Sequence, residues 1–232
     1  MFAAYMSTAA SPSRGSARHE LARLIEHPAR QPELTAPELE RLCIAAVENG
    51  FFGVCVNSSR VVQAAHWLGE SPVQVACSVA FPSGAVDPDV TRYETEVAVD
   101  SGAQLIELMA DHGRLKDGEE ADVLRGWRDV VEAADERPVG IALRLDLLQP
   151  SEFERALRWI GKSGALGVTL IASADAEQVT QSVRVAKTLA GEAIGVKVEP
   201  VRLGLADIPR WLEAGAVRFG TADGAGLLRE LP

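Results

Sequence analysis

The chain has 232 residues, 47% hydrophobic and 24% charged, which suits one large domain with a substantial core. Its formal net charge is −10 and no Lys/Arg cluster stands out, so the concentrated positive field that nucleic acid requires is lacking. No apolar run reaches the ~18 residues of a membrane span, so neither nucleic acid nor a membrane is an expected partner.

The first twenty residues, MFAAYMSTAASPSRGSARHE, are small and polar and read as a flexible extension, leaving 21–232 for the folded domain. ARLIEH (22–27) reads as a first strand and PELERLCIAAVENG (37–50) as the helix after it. NGFFGVCV (49–56) opens a recurring grammar, in which a helical run ends in Gly and an apolar strand starts one or two residues later. The pattern returns in SGAQLIEL (101–108), SGALGVTL (163–170) and AGAVRFGT (214–221). Further strands are PVQVACSVAF (72–81), PVGIALRLDLL (138–148) and AIGVKVEP (193–200), with helical patterns at 89–102, 150–164 and 207–216. Eight strand–helix units with near-continuous apolar strands predict an α/β fold, a single (β/α)8 barrel. A doubly wound open sheet is the alternative, and it is disfavoured because no GxGxxG follows the first strand.

Strand side chains alternate faces. The apolar set Ile106, Leu108, Ile141, Leu143, Val168, Leu170, Val196 and Val198 suits the helix-facing side. That turns Cys55, Asn57, Glu107, Ala142, Arg144, Thr169, Lys197 and Glu199 toward the lumen. Enclosed charges must pair, and Glu107 and Arg144 sit on neighbouring strands where each could satisfy the other. A lysine in an apolar lumen loses affinity for its proton and becomes a nucleophile or base, which singles out Lys197. Glu199, two residues on, works against that. Cys43, Cys55 and Cys77 form no CxxC pair, so a disulfide framework is not expected; Cys55 reads as packing and the cytoplasm as the compartment. His19, His27, His66 and His112 show no ligand spacing, so neither a metal nor another cofactor is expected.

The stretch FPSGAVDPDVTRYETEVAVDSGAQLIELMADHGRLKDG (81–118), with FGVCVNSSRV (52–61), IGVKVE (194–199) and EAGAVRFGT (213–221), resembles deoxyribose-phosphate aldolase, a Schiff-base aldolase on a (β/α)8 barrel. The resemblance runs from about residue 21 to the C-terminus. It implies a carboxylate at Glu107, a second lysine at Lys197, a first-strand acid at Glu26, and homodimerisation. It also implies an imine-forming lysine where this chain has Thr169, which cannot form a Schiff base. At the implied phosphate site Gly220 and Thr221 are kept, whereas Glu199, Pro200 and Asp223 are unfavourable to a phosphate. Asp223 also reads as an ordinary helix N-cap.

The expectation is therefore a lyase of aldol type on a small, non-phosphorylated carbonyl substrate, with Lys197 and Glu107 catalytic. Thr169, Arg144, Cys55, Asn57, Glu199, Asp223, Gly220 and Thr221 would line the substrate site. Two alternatives stay open. One is an acid–base isomerase, dehydratase or cyclase that also draws on Asp111 and His112, and the other is a non-catalytic metabolite-binding homologue.

Overall fold

Short apolar strands that end in polar residues have one stable solution when helices alternate with them, which is a sheet covered on its outer face. The computed structural model describes residues 14–173 and 175–231. In chain order it comprises α1 (Arg14–Ala22), β1 (Ile25–Ala29), α2 (Ala36–Asn49), β2 (Gly53–Asn57), α3 (Val61–Leu68), β3 (Gln74–Val79), α4 (Pro88–Asp100), β4 (Leu105–Met109), α5 (His112–Asp117) and α6 (Glu120–Ala133). There follow β5 (Val139–Arg144), α7 (Pro150–Ser163), β6 (Gly167–Ala172), α8 (Ala176–Ala190), β7 (Gly195–Pro200), α9 (Ile208–Ala214), β8 (Ala216–Gly220) and α10 (Gly224–Arg229). All eight strands are parallel, each pairs with the next, and β8 closes on β1. This is the (β/α)8 barrel expected from the sequence.

The helices form where the pattern demands. In α7, Phe153, Ala156, Leu157 and Ile160 are buried at spacings of three and four, Pro150 starts the helix, and Gly164 ends it in the left-handed region (φ 91°). The Gln149 N–H donates to Glu152 at 2.7 Å, which stops fraying of the first turn. Gly84, in the FPSG turn, is fixed by space: a Cβ there would lie 2.0 Å from the Ala110 carbonyl oxygen. That close approach holds the β3–α4 loop against the end of β4.

Two expectations are refined. Residues 14–20 of the proposed extension are helical, and Arg18 donates to the Leu228 carbonyl at 3.4 Å and to Asn49 Oδ1 at 3.2 Å; residues 1–13 of it lie outside the described residues. The first strand begins at Ile25 and not at Ala22, because α1 claims Ala22. That shift carries the inward face of β1 on to Arg30, which matters below.

Side chains divide the molecule into a large outer core, between strands and helices, and a small inner cluster of Cys55, Ala76 and Leu105 with Phe52 and Val217 packed on it. The inner cluster plugs the lower lumen. Above it the lumen turns polar.

Candidate active site

Register determines which side chains meet. Glu107 on β4 lies level with Ser78 and Gly140, Thr169 on β6 lies level with Ala142 and Lys197, and Glu26 on β1 lies level with Gly220. The small residues at Gly140, Ala142, Gly167 and Gly195 leave room for long chains to cross the lumen. Lys197 Nζ reaches Glu26 Oε1 at 2.5 Å, also contacts Glu107 Oε2, and lies 3.6 Å from Glu199 Oε2. Thr169 Oγ1 donates to Glu107 Oε2 at 2.6 Å.

Arg30, just beyond β1, completes the cluster. Its guanidinium bonds Glu107 Oε1 at 2.7 Å through Nη1 and Glu199 Oε1 through Nη2, so it spans the upper lumen above Lys197. The Phe81 ring lies beneath it, 4.6 Å from the guanidinium carbon, and Asn57 Nδ2 donates to the Arg30 carbonyl at 3.1 Å. Two cations thus face three carboxylates. Sequence reasoning missed Arg30 because the strand expected at 22–27 stopped short of it. The signal was present: Glu26, Pro28 and Arg30 share one strand face.

Electrostatics follow from this packing. Burial pushes the Glu107 carboxyl up, but Lys197 and Arg30 outweigh burial and hold it below the ordinary carboxylate range. Burial pushes Lys197 down, yet Glu107, Glu26 and Glu199 together carry it well above an ordinary lysine. The expected neutral amine is therefore corrected to an ammonium, because this lumen is lined by carboxylates where the sequence reading assumed an apolar one. Glu199 differs from the other acids: burial dominates over Lys197 and Arg30, and its carboxyl is shifted up.

The expected Glu107–Arg144 pair does not form. Arg144 is the last residue of β5, above the layer of Ala142, where the chain turns into the 3-10 turn Leu145–Leu147. It pairs with Asp146 at 2.6 Å on the rim. His112 is spent on backbone: its Nε2 accepts the Arg144 N–H at 2.9 Å, and burial pushes its imidazole down and so keeps it neutral. Asp111 caps α5 by accepting from the N–H groups of Gly113 and Arg114. Cys55 is buried with Sγ 4.0 Å from Glu107 Oε1, and burial together with that carboxylate pushes the thiol well up, which suits packing and not nucleophilic attack.

At the adjoining strand ends Gly220 has a steric role, since a Cβ there would sit 2.7 Å from Glu199 Cγ. Thr221 donates its N–H to the Glu26 carbonyl at 3.1 Å, and Asp223 caps α10 by accepting the Gly226 N–H at 2.9 Å. A cavity of about 180 Å³ lies here, lined among others by Arg202, Gly204, Thr221, Asp223 and Glu230. Among the described residues no group of three or more His, Cys, Asp or Glu is placed to hold a metal ion, and no helix is long and apolar enough to cross a membrane.

Two stability predictions follow from these contacts. Thr169→Val removes a hydrogen bond to a buried carboxylate and should lower the unfolding free energy by about 1.5–3 kcal/mol in urea denaturation. Glu199→Gln should raise the melting temperature at pH 7. A carboxyl whose folded pKa lies above its unfolded value stabilises the fold when protonated and weakens it as pH rises, so the gain of the variant should shrink as pH falls.

The sequence comparisons give the family. The chain is 32% identical over 211 residues to deoxyribose-phosphate aldolase of Bdellovibrio bacteriovorus, covering 90% of this chain and 96% of the relative. The chain belongs to the deoxyribose-phosphate aldolase family. The aldolase of Natranaerobius thermophilus is also 32% identical, over 210 residues, covering 88% of this chain and 94% of that protein. Among solved structures, the deoxyribose phosphate aldolase of Aeropyrum pernix, described as a tetramer, superposes with a TM-score of 0.80 at 20% identity, over 93% of this chain and 94% of that one. That likeness shows the fold. No protein-family model matches the chain. Aldolases are lyases, so this member of the deoxyribose-phosphate aldolase family is an aldolase-like lyase by kinship.

Proposed function

We propose that this aldolase-like chain performs carbon–carbon chemistry on a small, non-phosphorylated carbonyl compound, with Lys197 as the amine and Glu107 as the proton-moving carboxylate. One observation carries the reading. Of four lysines in the sequence, Lys116, Lys162 and Lys187 lie on the helical shell, and Lys197 alone projects into the lumen, level with Thr169. Thr169 stands where the family resemblance implies the imine lysine, so Lys197 is the amine left to take that part. The step balances without an added reagent: Lys197 first passes a proton to a neighbouring carboxylate, the free amine adds to the carbonyl, and that proton returns as the carbinol hydroxyl leaves as water, giving a protonated imine. The electron pair of the bond being broken then enters the imine, and Glu107 accepts the proton of the departing hydroxyl. Arg30 must first release Glu199, since Lys197 lies beneath it.

The absence of a phosphate on the substrate is supported by Asp223, which takes the Gly226 N–H for itself, and by Glu199 and Glu230 nearby. Cys43, Cys55 and Cys77 are free and buried, which supports a reducing, cytoplasmic setting. A second reading has its own support. Lys197 is held as an ammonium by three carboxylates, which suits acid–base catalysis without an imine.

Borohydride reduction with small aldehydes and ketones separates the two. A mass increase on the Lys197 peptide, undiminished by inorganic phosphate, is the expected result. No adduct on Lys197, with turnover of any carbonyl substrate intact, would leave the acid–base reading in its place.

A further inference from the structure

We propose that the Arg30–Glu199 bridge is an internal stand-in for substrate, and that the site takes a 2-oxo acid, its carboxylate on Arg30 and its keto carbon facing Lys197. This rests on the reading that Lys197 acts on a carbonyl, and narrows it to one substrate class.

The two partners of the bridge are held very unequally. Arg30 keeps its place without Glu199: Nη1 is bonded to Glu107 at 2.7 Å, Phe81 supports the plane of the guanidinium, and Asn57 holds the Arg30 carbonyl. Glu199 has much less. Its Oε1 bonds Arg30, while its buried Oε2 has no hydrogen-bond partner and is 3.6 Å from Lys197 Nζ. Its side chain is 12% exposed, against 3–7% for Lys197, Glu26, Arg30 and Glu107. It sits at the open end of β7, over Gly220, which has no side chain to pin it. Glu199 is thus the carboxylate able to leave, and it leaves behind a fixed guanidinium with a vacated Nη2.

The vacated position dictates the ligand. An ordinary aldehyde would leave Nη2 buried and unsatisfied, which costs binding energy. A carboxylate restores the bond with the planar geometry that guanidinium prefers. With that carboxylate in the place of the Glu199 carboxyl, one of its oxygens lies 3.6 Å from Lys197 Nζ, so the adjoining carbon is the one within reach of the amine. A carbonyl at that carbon defines a 2-oxo acid. Its condensation with the ammonium yields the protonated imine and one water, as above. Burial already shifts the Glu199 carboxyl up, so it can take a proton as the incoming anion displaces it.

The test compares pyruvate with methyl pyruvate, which keeps the ketone and lacks the carboxylate, and with acetaldehyde, by borohydride trapping on the full chain. Pyruvate should label Lys197 at a half-saturating concentration at least about tenfold below that of methyl pyruvate, since a paired carboxylate is worth more than one factor of ten. Glu199→Gln removes the internal competitor and should lower the half-saturating pyruvate concentration by a further factor of about ten. A bridge that merely supports the fold would give the opposite sign. If methyl pyruvate or acetaldehyde labels Lys197 as well as pyruvate does, the substrate class is wrong and the Lys197 reading stands. If none of the three labels Lys197, both fall. Should Glu199→Gln fail to fold, the pyruvate and methyl pyruvate comparison on the parent chain decides alone.

Discussion

Lys197→Met is expected to abolish borohydride trapping of every carbonyl compound and to lower the unfolding free energy by about 3–5 kcal/mol at pH 7. Methionine matches the lysine stem in length, so the cost is not a cavity. It comes from Glu26 and Glu107, which lose their shared cation while remaining buried. The pH dependence identifies the cause. In the parent, Glu107 has a folded pKa below its unfolded value, so its contribution is present at neutral pH and is lost as pH falls through that depressed value. In the variant the same carboxyl faces burial with Arg30 alone and is easier to protonate. The gap between parent and variant should therefore narrow in acid. Urea titrations from pH 7 down to about 2 would measure it; a gap independent of pH would point to lost packing.

Glu107→Gln should be the most damaging change that keeps the lysine. The amide fills the same space and can still accept from Thr169, but it carries no charge and takes no proton. Turnover of a carbonyl substrate is expected to fall by about 10²–10⁴-fold, the usual span for a lost general base. Trapping on Lys197 should persist, because Glu26 and Glu199 still neighbour the amine. Loss of trapping together with turnover would assign Glu107 to forming the imine and not to the bond-breaking step.

The barrel was legible in the sequence because its strands are bounded by helix-ending glycines and read as apolar runs, a local signal. The inward set was legible too: alternation alone turns Glu107, Thr169 and Lys197 to the lumen, and each lies there. Pairing was not legible. Whether Glu107 meets Arg144 or Arg30 depends on strand stagger and on where β5 ends, and neither is local. Arg144 looked like the partner because the strands are neighbours, but the register sets Glu107 level with Gly140, four residues before Arg144 on β5. The charge of Lys197 was misread for the same reason. Its fate rests on Glu26, 171 residues earlier in the chain, and no window around Lys197 contains it.

That distance has a consequence for assembly. The first four strands bring Glu26, Arg30 and Glu107 to the growing sheet, and two of these three charges are acids that must wait for β7 to supply their shared cation. A nascent chain halted before residue 197 would hold Glu26 half-enclosed without its cation and Glu107 with Arg30 alone, so the incomplete sheet gains little by closing early. Contacts of such long sequence separation form late and slowly. Separately expressed halves should stay open alone and combine only when mixed, since the ion cluster at the centre needs strands from both.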